Sequence, residues 1–180
     1  MKTLPDFLRP GLFILAVGIN PSPPAVAAGF PFANPRNRFW PALNNSRLVT
    51  ESLEPGPEAT HRLCSEFGIG FTDIVKRPTP GMRDLRAADY AAGAPVLAAK
   101  ISRSEPDILW FHGMVAARAY LRLQGVGDAP VWGKQPGTVD GRACFVSPNP
   151  SPANARFSLA DIVASYNLLA DWSLALRGAG

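Results

Sequence analysis

The chain is poor in cysteine and histidine, with two of each in 180 residues. Cys64 and Cys144 stand far apart and have no CxxC spacing, so they cannot build a four-cysteine zinc site or an iron–sulfur cluster. Both read as small buried hydrophobes. His61 and His112 lie in unrelated contexts, so no metal and no other cofactor is expected. Long apolar runs are also missing. The longest uncharged stretch, Pro10 to Pro35, is broken by prolines and by Asn20, which excludes a spanning helix and a membrane partner. Met1 to Arg9 carries Pro5 and Asp6 where a secretory signal needs a basic start and an apolar segment, so the expected compartment is cytoplasmic. No GxGxxG or Walker A run is present, which argues against the common phosphate-cradling nucleotide enzymes. Ser151 lacks a GxSxG elbow, which argues against a serine hydrolase.

Charge is only mildly one-sided. Eighteen basic residues against fourteen acidic ones give a formal charge of +4, enough to admit a nucleic-acid partner but not to select one. Its distribution says more. Arg36, Arg38, Lys76, Arg77, Arg83, Arg86, Lys134 and Arg156 fall mostly in loops, where they can reach phosphates.

The residues that are present describe a single domain, 1–180, with 47% hydrophobic content and no internal repeat. Nineteen prolines and sixteen glycines cut it into short elements. Leu12–Gly18, Gly70–Val75, Asp107–His112 and Ala143–Ser147 are compact apolar runs of the kind found in buried parallel strands. Helices are expected over Phe39–Val49, Glu58–Phe67, Asp84–Ala92 (stopping at Gly93), Pro95–Arg103 and Met114–Leu123. A closing helix is capped by Ser158 with Asp161 at the capping-box distance. Pro21–Pro35 and Trp132-Gly133-Lys134 read as loops. Strands alternating with helices predict an α/β fold, a three-layer sandwich with a mainly parallel central sheet. In such sheets the ligand sits beyond the carboxyl ends of the strands. That singles out GINPS after the first strand and PNPSPANARF after the last.

Asn20, in the first of these loops, can hold a water without carrying charge. An isolated asparagine of this kind more often bonds its own backbone in a turn. Its company changes the balance. Gly18-Ile19-Asn20-Pro21-Ser22 is followed by Gly29-Phe30-Pro31-Phe32-Ala33-Asn34-Pro35-Arg36-Asn37-Arg38-Phe39-Trp40. Later come Gly70-Phe71-Thr72-Asp73-Ile74-Val75, Arg77-Pro78-Thr79, Trp132-Gly133-Lys134-Gln135 and Pro148-Asn149-Pro150-Ser151. In order and spacing, from about Leu12 to Trp172, this set resembles the mismatch-specific uracil-DNA glycosylases, the family that includes the thymine-DNA glycosylases.

The resemblance implies a DNA repair enzyme of the uracil-DNA glycosylase-like fold; the few cysteines and histidines make it metal-free, and the absence of an indicated nucleophilic lysine in the site makes it monofunctional. Such an enzyme flips uracil out of mismatched double-stranded DNA, hydrolyses its N-glycosidic bond and works as a monomer. It implies that Asn20 positions the attacking water and that Phe32 stacks on the flipped base. Ile19 and Ser22 would help bind that base. Asn149, Pro150, Ser151, Pro152, Ala153, Asn154 and Arg156 would form the loop that enters the minor groove, Arg156 being its wedge. Lys134 would touch a phosphate. Among the acids Asp73, Asp84 and Asp89, the resemblance favours Asp89 as an assisting group; its other reading is a solvated helix-face acid three residues from Arg86. His112, ending an apolar strand, reads as structural. After Asn20-Pro21 the chain departs from the family with Ser22-Pro23-Pro24, at what would be the pocket's entrance. The alternative function is a module that binds mismatched or abasic DNA without cutting it.

Overall fold

The computed structural model describes residues 2–126 and 129–178. Five strands, β1 (Ile14–Gly18), β2 (Ile69–Asp73), β3 (Ile108–His112), β4 (Gly133–Val139) and β5 (Arg142–Ser147), form one sheet in the order β2-β1-β3-β5-β4. Its first four members are parallel, and β4 runs antiparallel on the edge. β3 is buried along its whole length and β1 along all but its last residue. Strands covered on both faces must be apolar on both, which is why these runs show no alternation. Helices cover the two faces, giving the three-layer α/β arrangement expected.

Seven helices are present among the described residues if a short one is included: α1 (Pro23–Ala28), α2 (Phe39–Asn44), α3 (Pro57–Ser65), α4 (Ala87–Ser104), α5 (Met114–Leu123) and α6 (Leu159–Gly178), with a single 3-10 turn at Met82–Asp84. α2 and α6 pack together over one face. There Trp110 of β3 lies 4.8 Å from Tyr166 of α6 and 6.1 Å from Phe39 of α2, ring centre to ring centre. α4 and α5 pack over the other, where Phe111 lies 6.0 Å from Tyr120. Both cysteines are free and buried.

Four elements depart from the sequence reading, each for a local reason. Pro21–Pro35 is not all loop. Ser22 caps α1 by accepting from the Ala25 N–H, Pro23 occupies the first turn, and Gly29 closes it in the left-handed region at φ 80°. The helix expected to reach Val49 stops at Asn44. Asn45 and Ser46 turn their side chains back onto the carbonyls of Pro41 and Leu43, and Asn44 clasps both backbone groups of Leu53. The two helices expected on either side of Gly93 are one helix, α4. Gly93 is there for close approach, since a Cβ on it would overlap the carbonyl of Ile74. Pro95 is tolerated because it and Ala91, the residue four before it, both face solvent, where water can satisfy the freed carbonyl. Finally, Gly133-Lys134 opens a strand rather than continuing a loop. β4 returns into β5 through Asp140-Gly141, both in the left-handed region at φ 50° and 76°, as a two-residue hairpin requires. Pro136 sits on this edge strand where the register shifts, a position that needs no ladder donor.

Candidate active site

The carboxyl ends of the parallel strands converge on a cavity of about 510 Å3. The sheet register sets its floor. Gly18 pairs with Asp73 and His112 with Ser147, and the β1–β3 register brings His112 level with Gly18. Parallel partners point to the same face, so Asp73, Gly18 and His112 form one row with no side chain at its centre. Gly18 is required there, because a Cβ would overlap Asp73 Oδ1.

Asn20 stands two residues beyond β1. The adjoining segment is held against the chain following β2: the Ile74 and Val75 N–H groups donate to the Gly18 and Ile19 carbonyls. Asn20 Nδ2 donates to the Arg77 carbonyl at 2.9 Å and to Thr79 Oγ1 at 2.8 Å. Thr79 in turn donates to the Gly81 carbonyl at 2.8 Å. A carbonyl can only accept, so the amide cannot be flipped. Both amide hydrogens are committed, and Oδ1 is the atom left to take a proton from a water.

Phe32 supplies a flat wall. It holds φ 59°, a region bulky side chains avoid, so the surrounding structure must impose it. Its ring stacks on Phe39 at 4.2 Å and 19° and meets His112 edge-on at 5.1 Å. Ile19 and Ser22 line the same cavity.

Of the three acids, the structure brings Asp73 to the cavity and not Asp84 or Asp89. Asp89 accepts from Arg77 at 2.8 and 3.2 Å and from the Arg86 N–H at 2.7 Å. The Arg77 guanidinium and that backbone bond hold its carboxyl down at about 2. It therefore anchors the segment whose Arg77 carbonyl orients Asn20, at one remove from the cavity. Asp73 is pushed up to about 6 by burial, with Lys76 Nζ 4.0 Å away working against the rise. Beneath it, Asp6 accepts from Lys76, Lys100 and Thr72, each at 2.8 Å from a carboxylate oxygen. Burial raises the Asp6 carboxyl, but the Lys100 and Lys76 hydrogen bonds outweigh it and hold it below its ordinary value. This network pins the N-terminal segment, so that Leu4 and Pro5 become part of the cavity wall.

The raised Asp73 carboxyl makes stability depend on pH. In the unfolded chain it titrates near 3.8 and in the folded chain near 6. Below both values it is neutral in both states. As pH rises through 6, the folded chain must carry a buried charge, a loss of about 3 kcal/mol for a shift of this size. Asp73→Asn is therefore expected to gain stability over wild type between pH 4 and pH 8, by up to about that amount. Urea unfolding at the two pH values reads the difference, and the same difference at both would refute it.

The loop after β5 forms the facing wall. Asn149, Ser151, Ala153, Asn154 and Arg156 line the cavity; Pro150 and Pro152 stiffen the loop without lining it. Asn149 Oδ1 accepts from the Ser151 N–H, and Asn154 Nδ2 returns to the Asn149 carbonyl, both at 2.9 Å. Arg38 grips the loop from below. Its guanidinium donates to the carbonyls of Pro150, Ser151, Asn154 and Phe157. Lys134 is not brought in; its ammonium rests over the Trp172 ring at 5.4 Å. Its neighbour Trp132 is exposed at the mouth, edge-on to Phe157 at 5.1 Å. Gln135 holds it there by bonding both backbone groups of Val131 and the Gly133 carbonyl.

His112 was read from sequence as structural. It is buried, but it lines the cavity and neither ring nitrogen has a hydrogen-bond partner. The only signal in the chain was its place, the last residue of a buried strand before Gly113.

Comparison with known proteins agrees with this fold. Residues 5–170 match the uracil DNA glycosylase superfamily. The fold is similar to the solution NMR structure of a Methanosarcina acetivorans protein proposed to be a uracil DNA glycosylase, with a TM-score of 0.61 and 21% identity. That match covers 93% of this chain and 97% of the other.

Proposed function

The chain belongs to the uracil DNA glycosylase superfamily, and from that premise we propose that it is a monofunctional glycosylase excising uracil from mismatched duplex DNA. The observation that carries this reading is Asn20: both amide hydrogens are committed, and its bare oxygen is left in a cavity walled by Phe32.

A base in a duplex is unreachable and must be flipped out, at a cost of a few kcal/mol that falls at a mismatch. The loop Asn149–Phe157 suits the gap left behind, with Arg156 long and planar enough to stack there. The flipped base stacks on Phe32. A water held by Asn20 Oδ1 then attacks C1′ of the deoxyribose. The new C1′–O bond forms, the C1′–N1 bond breaks, and its electron pair leaves with uracil, which takes up a proton. The sugar passes through an oxocarbenium-like state and ends as an abasic site. Asn20 is no general base, so turnover is slow and depends on stabilising the departing base and the sugar cation. Asp73, as a carboxylate, suits the second task better than Asp89.

The test is base release from labelled duplexes carrying U·G, U·A or T·G and from single-stranded uracil DNA. Release from U·G ahead of U·A, with no borohydride-trapped adduct, is expected. A trapped adduct overturns the monofunctional assignment. Tight binding to U·G or abasic duplex without release overturns the enzyme reading in favour of a binding module.

A further inference from the structure

We propose that Trp132 is a DNA-binding residue outside the base receptor: its indole stacks on the nucleobase next to the flipped one in the same strand, a role that rests on the reading of the chain as a glycosylase that flips its target.

An indole left in water needs a reason, because most of its surface is apolar. Trp132 is 42% exposed, and Met82 and Val115, exposed as well, line the same cavity. Exposed apolar side chains gathered at a cavity mouth mark a surface that another molecule covers. The side chain is nonetheless held in place. Buried Gln135 fixes the backbone on both sides of it, bonding the N–H and carbonyl of Val131 and the carbonyl of Gly133. Gly133 turns the chain there in the left-handed region at φ 81°. Phe157 meets the ring edge-on at 5.1 Å and 72°, a contact that leaves at least one indole face unstacked. The Trp132 Nε1–H has no acceptor among the described residues, whereas those of Trp40 and Trp110 donate to the Pro31 carbonyl and to Ser147 Oγ. A flat ring that is already positioned loses little freedom when a ligand covers it.

The place of the ring selects the base. The Arg156 guanidinium lies 5.4 Å from the Phe157 ring, so Trp132 stands beside the wedge residue at the mouth. The strand that sends its nucleotide into the cavity must pass this mouth, because the flipped nucleotide stays bonded through its phosphates to a neighbour on each side. The base left opposite lies across the duplex, beyond the wedge. Flipping strips a stacking partner from each neighbour, and an indole face can replace it. Such stacking tolerates any base, since every base has a π face. It needs no second strand, so the same contact serves single-stranded DNA.

Trp132→Ala is expected to raise the enzyme concentration that gives half-maximal single-turnover release by about tenfold or more, on a U·G duplex and on single-stranded uracil DNA alike, with a smaller effect on the maximal rate. Trp132→Phe keeps a π face and should recover most of the affinity. Deleting single bases locates the contact. With an abasic residue in place of the neighbour on one side of the uracil, wild type and Trp132→Ala should bind alike; with an abasic residue opposite the uracil, their difference should persist. Half-maximal concentrations within about twofold of each other on both substrates overturn the proposal. So does a loss confined to the duplex, one that survives deletion of the neighbour on each side in turn, or one that disappears when the opposite base is deleted. A loss that comes with a lowered thermal midpoint and is not recovered by phenylalanine assigns Trp132 a structural role and overturns it as well. A wild type that releases no base from any substrate defeats the glycosylase reading, and this inference with it; an active wild type with an unaffected Trp132→Ala defeats this inference alone.

Discussion

Replacing Asn20 with alanine is expected to slow single-turnover uracil release by on the order of 10² to 10³ fold while leaving affinity for the U·G duplex within about twofold. The split follows from where the residue's bonds go. Asn20 Nδ2 is spent on Arg77 and Thr79, groups of its own chain, so the side chain's remaining oxygen has only a water or substrate to serve. Alanine removes the proposed anchor of the water, while the Phe32 wall and the Asn149–Phe157 loop, to which the proposal assigns the DNA contacts, are left in place. Asn20→Asp is the sharper variant. A carboxylate would be the stronger base in free solution, yet here one of its oxygens would face the Arg77 carbonyl, acceptor against acceptor. Either the side chain rotates away or the Arg77–Thr79 segment shifts, and release should fall despite the added basicity. Aspartate activity at or above wild type would show that the amide's fixed orientation is not what the reaction uses. Alanine activity near wild type would remove Asn20 from the mechanism.

The strands and the place of the cavity are legible in the sequence because they depend on short-range pattern. Four apolar runs bounded by glycine and proline specify buried parallel strands, and a ligand loop beyond such a strand follows from topology alone. What escaped depends on contacts distant in sequence or on conformations that residue type does not announce. Asp89 is the acid that the resemblance favours, but it pairs with Arg77, a partner twelve residues away that its neighbours in the chain do not announce, and that pairing holds it outside the cavity. Asp73 is the acid that lines the cavity, and its place beside Gly18 depends on the β1–β2 register. Gly93 reads as a helix stop because glycine lowers helix propensity, whereas its role is to let α4 approach Ile74. Phe32 gives no sign that it occupies the left-handed region. One signal was there to be used: Asp140-Gly141 between Val139 and Arg142 is the composition of a tight hairpin and would have identified β4.

Arg38→Ala is expected to have the largest effect on the loop, costing about 2–4 kcal/mol of stability and weakening DNA binding by about tenfold or more. Four carbonyls from Pro150 to Phe157 converge on this one guanidinium, and the Arg38 N–H also donates to Pro150 at 3.1 Å. Hydrogen bonds from a charged donor are stronger than neutral ones, and losing the donor strands acceptors in a partly buried site. The loop would then have to be ordered when DNA binds rather than beforehand, which is the source of the affinity loss. Lysine should not rescue: an ammonium has three hydrogens at one point and cannot span four carbonyls spread along an eight-residue loop. Because the chemistry at Asn20 lies across the cavity, the rate at saturating DNA should fall less than the affinity. Urea unfolding and duplex titration of the alanine and lysine variants measure both effects. A lysine variant with wild-type stability and affinity would mean that charge alone holds the loop; an alanine variant with both unchanged would mean that its two prolines suffice.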